Sequence, residues 1–104
     1  MKYRVLISED ARNSILDSMR FLANVNKNSA KKELDNIFKE IHSLEEFPLR
    51  HPAVPGLEIL GKQTYKFILS NGRYIILYNV SNTDVFINKF LDVRKNNKIL
   101  NDLI

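Results

Sequence analysis

The stretch Lys62–Val80, KQTYKFILSNGRYIILYNV, decides the fold of this chain. Two runs rich in aromatic and β-branched residues flank the dipeptide Asn71-Gly72, and such runs are typical of strands. Asn-Gly is the strongest short signal for a two-residue hairpin turn, because both central residues of a type I′ turn have a positive φ. The stretch therefore predicts a β-hairpin.

Counting outward from the turn predicts its register, from Leu69 opposite Tyr74 to Tyr65 opposite Tyr78. Side chains alternate between the two faces of a sheet. One face is apolar and is expected to face the core; it carries Tyr65, Phe67, Leu69, Tyr74, Ile76 and Tyr78. The other is apolar in its middle with two cations towards its edges, and carries Lys66, Ile68, Ser70, Arg73, Ile75 and Leu77. We expect this second face to be partly covered or to bind an anionic group.

The residues before the hairpin predict one strand and two helices. Tyr3–Ser8 alternates apolar and polar residues, as a strand does. Glu9–Val25 and Ser29–Glu46 each carry an apolar stripe at helical spacing. Ser8 and Ser29 are suitable N-caps. The short Asn-rich connection between the helices favours an antiparallel pair.

Three prolines after the second helix predict a loop, because proline stops a helix. Four apolar side chains are expected to hold this loop on the core: Phe47, Leu49, Val54 and Leu57. Beyond the hairpin, Val85–Leu91 predicts a third strand of a meander. The tail Asp92–Ile104 predicts a short amphipathic helix through Ile99, Leu100, Leu103 and Ile104.

The predicted order of elements is β-α-α-β-β-β. Two antiparallel helices would pack on a small, mostly antiparallel sheet, which is an α+β fold. We find no internal repeat and no linker, so residues 1–104 are expected to form a single domain with 92–104 as its tail.

Composition favours a folded cytoplasmic protein. Of the 104 residues, 44% are hydrophobic and 27% are charged, which is ordinary for a globular domain. The absence of cysteine excludes a disulfide framework and a thiolate site. The first ten residues, MKYRVLISED, reach charges too early for a signal peptide, and no apolar run approaches the length of a membrane span.

The formal net charge of +4 is unevenly distributed. Residues 1–61 hold nine Lys or Arg and nine Asp or Glu, whereas residues 62–104 hold seven cations and three acids. This excess in the sheet half indicates an anionic partner such as nucleic acid or an acidic peptide. The alternative is an ordinary solvated face.

The residues that carry chemistry are few. His42 and His51 are the only histidines and have no neighbouring cysteine or clustered carboxylates, so no metal and no other cofactor are expected. The glycines match no nucleotide-binding fingerprint. What remains is a set of cations and hydroxyls around the sheet: Lys62, Tyr65, Lys66, Arg73, Tyr78, Lys89, Arg94 and Lys95. Lys and Arg can hold a phosphate and stabilise developing charge. Each is also consistent with a surface cation, and the tyrosines with core residues.

Nearly the whole chain resembles the RelE/ParE superfamily, the toxins of bacterial type II toxin–antitoxin systems. The resemblance is carried by YRVLISEDARNSI, IHSLEEFPLRHP, YKFILSNGRYIILYNV and VFINKFLDVRKN. It implies a compact basic toxin that a cognate antitoxin neutralises. RelE-like members cut messenger RNA on the ribosome, and ParE-like members inhibit DNA gyrase without being nucleases.

The resemblance also implies candidate site residues. Arg94 matches an arginine that closes the last strand, and Lys66 matches a basic position before the hairpin. Ile75 occupies the place of the middle-strand arginine, and Arg73 lies two residues earlier, on the same predicted face. Lys66, Arg73 and Arg94 are thus the implied catalytic residues, and further substrate-binding cations are Lys62, Lys89 and Lys95.

Three functions remain open at this point. The first is ribosome-dependent cleavage of messenger RNA, which would make the chain an endoribonuclease. The second is non-enzymatic inhibition of gyrase through a helix face or the tail. The third is a decayed toxin that only binds its antitoxin. In each case we expect an acidic or amphipathic antitoxin segment on the cationic sheet half, docked as a helix in a groove or as an added strand.

Overall fold

The computed structural model describes residues 2–59 and 61–94. Its helices and strands are, in chain order, β1 (Arg4–Ile7), α1 (Glu9–Val25), α2 (Lys27–His42), β2 (Ala53–Ile59), β3 (Lys62–Leu69), β4 (Tyr74–Ser81) and β5 (Asp84–Asp92). Short 3₁₀ turns cover Ser43–Glu45, Pro48–Arg50 and Ser70–Gly72. Lys95 and the predicted tail helix lie outside the described residues.

The five strands form one sheet in the order β1-β5-β4-β3-β2. Only β1 and β5 are parallel, and the other pairs are antiparallel. The helical pair carries the chain from β1 to the far edge of the sheet, and the following meander returns β5 to the side of β1. This arrangement confirms the predicted α+β fold. No helix in the described part of the chain is long and apolar enough to cross a membrane.

The central hairpin has the predicted register, from Leu69 opposite Tyr74 to Tyr65 opposite Tyr78. Its turn is wider than predicted. Positive φ extends over Ser70, Asn71 and Gly72, at 52°, 57° and 90°. The strands therefore end before the turn, and Ser70 and Arg73 do not belong to the two-face alternation.

The two faces of the sheet have the predicted characters. The tyrosine-rich face packs against buried residues of both helices, including Ile15, Met19, Ile37 and Ile41, and forms the main core. On the opposite face, Ile75 and Leu77 form a smaller cluster with Val54. That face is only partly covered, because Ile68 is 46% exposed.

The connection between the two helices is shorter than predicted and consists of Asn26 alone. Ser8 caps α1 as expected, its Oγ accepting from the Ala11 N–H at 3.0 Å. The prediction that Ser29 caps α2 is wrong, because Oδ1 of Asn26 accepts from the Ser29 N–H at 3.0 Å. The N–H of Asn26 also donates to the carbonyl of Leu22 at 2.9 Å. One extended residue thus ends α1 and begins α2.

The proline-rich segment contains an edge strand that the sequence did not predict. β2 pairs with β3 at both ends but shifts register between Ala53 and Glu58. Pro55 and Gly56 lie within that shift, and an edge strand tolerates them because its outer side needs no partner.

Only half of the expected apolar anchors of this segment hold. Val54 is buried and Leu57 packs against the same cluster. The prediction for Phe47 and Leu49 is wrong, because these side chains are 80% and 57% exposed. Phe47 has a φ of 52°, a left-handed conformation that turns the chain at this point, so its side chain leaves the core.

Candidate functional site

Of the five candidate cations that lie within the described residues, the structure brings two together. Arg73 and Arg94 lie at the end of the sheet where β4 begins and β5 ends. Lys62 is exposed at the start of β3, near the other end. Lys89 forms an ion pair with Asp10 of α1, with Nζ 2.8 Å from Oδ2. Lys95 lies outside the described residues.

Lys66 and Arg73 do not share a face, so the prediction that placed them on one surface is wrong. Lys66 lies opposite Leu77, on the face away from the helices. Arg73 precedes β4 in an α-helical conformation, with φ −72° and ψ −35°. It therefore turns out of the strand and lines a hollow on the helical side, together with Leu22, Ser29, Lys32, Glu33 and Asn36.

Asp92 holds Arg94 in a forked ion pair. The Arg94 Nε and Nη2 donate to the two carboxylate oxygens at 3.2 and 3.1 Å, and the Arg94 backbone N–H donates at 3.0 Å. Asp92 is 3% exposed, whereas the Arg94 side chain is 44% exposed. The hydrogen bond and charge of Asp92 raise the pKa of Arg94 above its ordinary value. The guanidinium is thus permanently charged and fixed in direction.

Aromatic rings and a backbone bond complete this surface. The Arg94 guanidinium carbon lies 5.9 Å from the ring centroid of Phe21, which is 55% exposed on α1. The N–H of Val93 donates to the carbonyl of Arg73 at 2.9 Å, so the two arginines come from directly hydrogen-bonded segments. Tyr74 lies opposite Asp92, and burial raises the pKa of its hydroxyl. We call the surface formed by Phe21, Arg73, Asp92 and Arg94 the arginine corner.

The arginine corner is suited to binding, and among the described residues its carboxylates are already engaged, Asp92 with Arg94 and the neighbouring Glu33 with Ser70. The hydroxyl of Ser70 donates to Glu33, which ties the hairpin turn to α2 beside Arg73. Both histidines of the chain lie elsewhere. His42 ends α2 beside Glu45, with its Nδ1 3.7 Å from Oε1. Two arginines can hold phosphate or carboxylate oxygens, but proton transfer needs a further group.

His51 lies in an aromatic cluster on the core side of β3 and β4. Its ring stacks on Phe67 with centroids 3.8 Å apart and meets the edge of Tyr78 at 6.4 Å. Its Nε2 is buried and has no hydrogen-bond partner within the described residues. Burial, and then the charge of Arg50, lower the pKa of His51. Burial raises the pKa of Tyr78, and its hydroxyl donates to the carbonyl of Pro48 at 2.5 Å. These features indicate core residues.

A second surface lies at the other end of the sheet, beside the start of β1. A hollow of about 710 Å³ opens there, lined by Lys2, Tyr3, Glu46, Phe47, Pro48, Leu49 and Arg50. The exposed Phe47 and Leu49 stand at its wall. We call residues 46–50 the Phe47 turn.

Arg50 holds the Phe47 turn from within. Its Nη1 donates to the carbonyls of Glu46 and Ser43 at 2.6 and 3.2 Å, and to that of Phe47 at 3.3 Å. Its Nη2 donates to the Ser43 Oγ at 2.6 Å. One side chain thus fixes several backbone oxygens of the turn. Sequence reasoning missed this site because Arg50 carries no local signal that separates it from a surface arginine.

The likeness to known proteins is one of fold. No family model matches the chain, and a search of curated proteins finds no similar sequence. Seven chains of solved structures match. One belongs to the structure entitled "Chromosomal ParDE TA system from P. aeruginosa", with a TM-score of 0.68 and 13% identity, covering 88% of this chain and 96% of that chain. Two helices and a mixed sheet are therefore shared over nearly the full length of both.

Proposed function

We propose that this chain is the toxin of a type II toxin–antitoxin system and that it inhibits growth by binding a protein target, with DNA gyrase as the first candidate. The observation that carries the choice of mechanism is the separation of the implied catalytic residues. Lys66 lies on one face of the sheet, while Arg73 and Arg94 lie at its end on the helical side. Asp92 moreover balances the charge of Arg94.

The fold supports the toxin role. A chain from a structure whose title names a ParDE toxin–antitoxin system shares the architecture at nearly full coverage of both chains. Together with the motif resemblance, this supports a cytoplasmic toxin with a cognate antitoxin as its first partner.

The arginine corner is the surface that we assign to target binding. Arginine and aromatic side chains dominate the energetic centres of protein interfaces. Phe21 offers an exposed ring, and the forked pair with Asp92 holds Arg94 across it. Arg73 adds a second guanidinium next to it.

The test is induced expression in a bacterial host, with growth followed and total RNA mapped for new 5′ ends. We expect growth arrest with intact messages. We also expect the purified chain to inhibit supercoiling by purified gyrase, and Arg73→Ala with Arg94→Ala to weaken that inhibition by about tenfold or more. Intact supercoiling would remove gyrase as the target, and no arrest at confirmed expression would favour a decayed toxin that only binds its antitoxin.

One observation favours RNA cleavage as a second candidate. Arg73 and Arg94 come from segments joined by a 2.9 Å backbone hydrogen bond, and two neighbouring arginines are a common means of binding a phosphate group. New 5′ ends in translated messages, lost in the Arg73→Ala and Arg94→Ala double variant, would establish this alternative. Lys66→Ala would then decide whether Lys66 takes part from the opposite face.

A further inference from the structure

Phe47 combines two features that oppose folding. It has a left-handed backbone with a φ of 52°, which is rare for a large side chain, and its ring is 80% exposed. Left-handed backbone at a residue other than glycine costs about 1 kcal/mol or more. An exposed aromatic ring gains nothing from burial in return. Backbone strain of this kind is concentrated at functional sites.

The surrounding structure holds the backbone of this turn in place. Arg50 binds the carbonyls on both sides of the turn, and the Tyr78 hydroxyl donates to the carbonyl of Pro48. Leu49, 57% exposed, adds a second apolar side chain to the same hollow. A backbone that is already ordered loses little conformational entropy on binding, which favours a docking role.

The charges around the hollow favour an acidic partner. Lys2 and Arg50 line it, and neither forms an ion pair within residues 2–59 and 61–94. The hydrogen bonds of Arg50 go to carbonyl and hydroxyl oxygens, and no carboxylate in the described part of the chain forms an ion pair with it. Among the described residues that line the hollow, Glu46 is the one acid, so their side chains carry a net charge of +1.

We infer that the Phe47 hollow is a docking site for an acidic amphipathic segment of the antitoxin. Apolar side chains of that segment would pack on Phe47 and Leu49, and a carboxylate would approach Lys2 and Arg50. The inference rests on the proposed function for the identity of the partner. It moves the expected docking place from the cationic face of the sheet to the opposite side of the molecule, at the start of β1.

A second copy of this chain is a poorer occupant. Two hollows of net charge +1 would meet in a two-fold dimer, on chains whose formal net charge is already +4. Like charges across an interface disfavour association. An acidic segment instead removes this repulsion.

The experiment selects peptides on the full chain from a phage-displayed library of random segments about 16 residues long, which is enough for a short helix. The strongest binder is then synthesised, and its affinity is measured by titration calorimetry. We expect a peptide with Leu or Ile at helical spacing and an excess of Asp and Glu.

Variants locate the bound peptide. Phe47→Asn removes the ring at a backbone conformation that asparagine tolerates, and Leu49→Asn removes the second apolar group. Each should weaken binding by about tenfold or more. Lys2→Glu should weaken it by about threefold. The matched control is Val25→Asn, because Val25 is 79% exposed at the end of α1 and does not line the hollow. It should leave the affinity unchanged.

Two results would overturn the inference. One is a selected peptide that binds Phe47→Asn and Leu49→Asn as tightly as the original chain, because it then docks elsewhere. The other is a selection dominated by basic or uncharged sequences, or one that yields no binder. The growth assay remains independent of these outcomes. Growth arrest without peptide binding at the hollow would support the toxin proposal and contradict the docking site. Peptide binding at the hollow without growth arrest would support the docking site and contradict the toxin proposal.

Discussion

Two arginines at opposite ends of the sheet bind different kinds of hydrogen-bond acceptor. Arg94 donates to the buried carboxylate of Asp92, which balances its charge and fixes its direction. Arg50 donates to backbone carbonyls and to the Ser43 hydroxyl, which fixes the path of a turn without an ion pair among the described residues.

The partner of an arginine determines what its surface can bind. A carboxylate-paired guanidinium such as Arg94 presents a weakened field, in a fixed geometry, next to an exposed ring. A carbonyl-paired guanidinium such as Arg50 keeps its net positive charge beside exposed apolar groups. The first end therefore fits a protein surface with mixed polarity, and the second fits an acidic amphipathic segment.

Removing the carboxylate from the arginine corner should have the largest effect on stability. Asp92→Asn retains the shape of the side chain but removes the negative charge that pairs with Arg94. The Asp92 side chain is 3% exposed. We expect the free energy of unfolding to fall by about 2 kcal/mol, measured by urea denaturation. Asp17→Asn is the matched control, because the Asp17–Arg20 pair is exposed and should contribute less than about 0.5 kcal/mol. Equal losses in both variants would remove the distinction between the two kinds of pair.

The Phe47 turn should respond to the geometry of Arg50 more than to its charge. Arg50→Lys keeps one positive charge but cannot form the fork, so we expect a loss of about 1 kcal/mol. Amide exchange at the Glu46 N–H, which donates to the Ser43 carbonyl at 3.2 Å, should become faster. Arg20→Lys, at an exposed pair, is the control and should change neither quantity. Unchanged exchange in Arg50→Lys would mean that the turn is rigid without its arginine.

Acid should lower the free energy of unfolding through His51. Its pKa is lowered in the folded state, so the unfolded chain binds more protons near the ordinary value of about 6.5. Stability is therefore complete above that pH and is lost as the pH falls through it. Between about pH 7.5 and about pH 5.5, the urea midpoint should fall less in His51→Phe, which keeps the stacking on Phe67 but does not titrate. A flat profile in the original chain would contradict the prediction.

The smallest expected change is a gain. Phe47→Asn replaces a strained, exposed ring with a residue that tolerates positive φ, so the free energy of unfolding should rise by up to about 0.5 kcal/mol. Leu49→Asn, at a less exposed position without positive φ, should give no gain. Both are measured by urea denaturation. A loss of stability in Phe47→Asn would show that the ring packs against the fold, and the contrast between the two ends would weaken.

Residue patterns alone were enough to predict the hairpin register, the two faces of the sheet, the bounds of α1 and the Ser8 cap. These features depend on residues within one or two turns of each other, where spacing and backbone preference act directly. The same local logic predicted the α+β class, because two helical stripes and alternating strands have few ways to bury their apolar sides.

The contacts of each cation and each loop residue depend on the tertiary structure. β2 forms because it can pair with the edge of β3. The residues around Pro55 and Gly56 show no strand pattern that would predict this pairing. Arg73 leaves the strand because positive φ extends to Ser70. Whether an arginine meets a carboxylate or a row of carbonyls depends on residues that the fold brings beside it. Local spacing carries no record of those neighbours, so the sequence named Arg94 and overlooked Arg50.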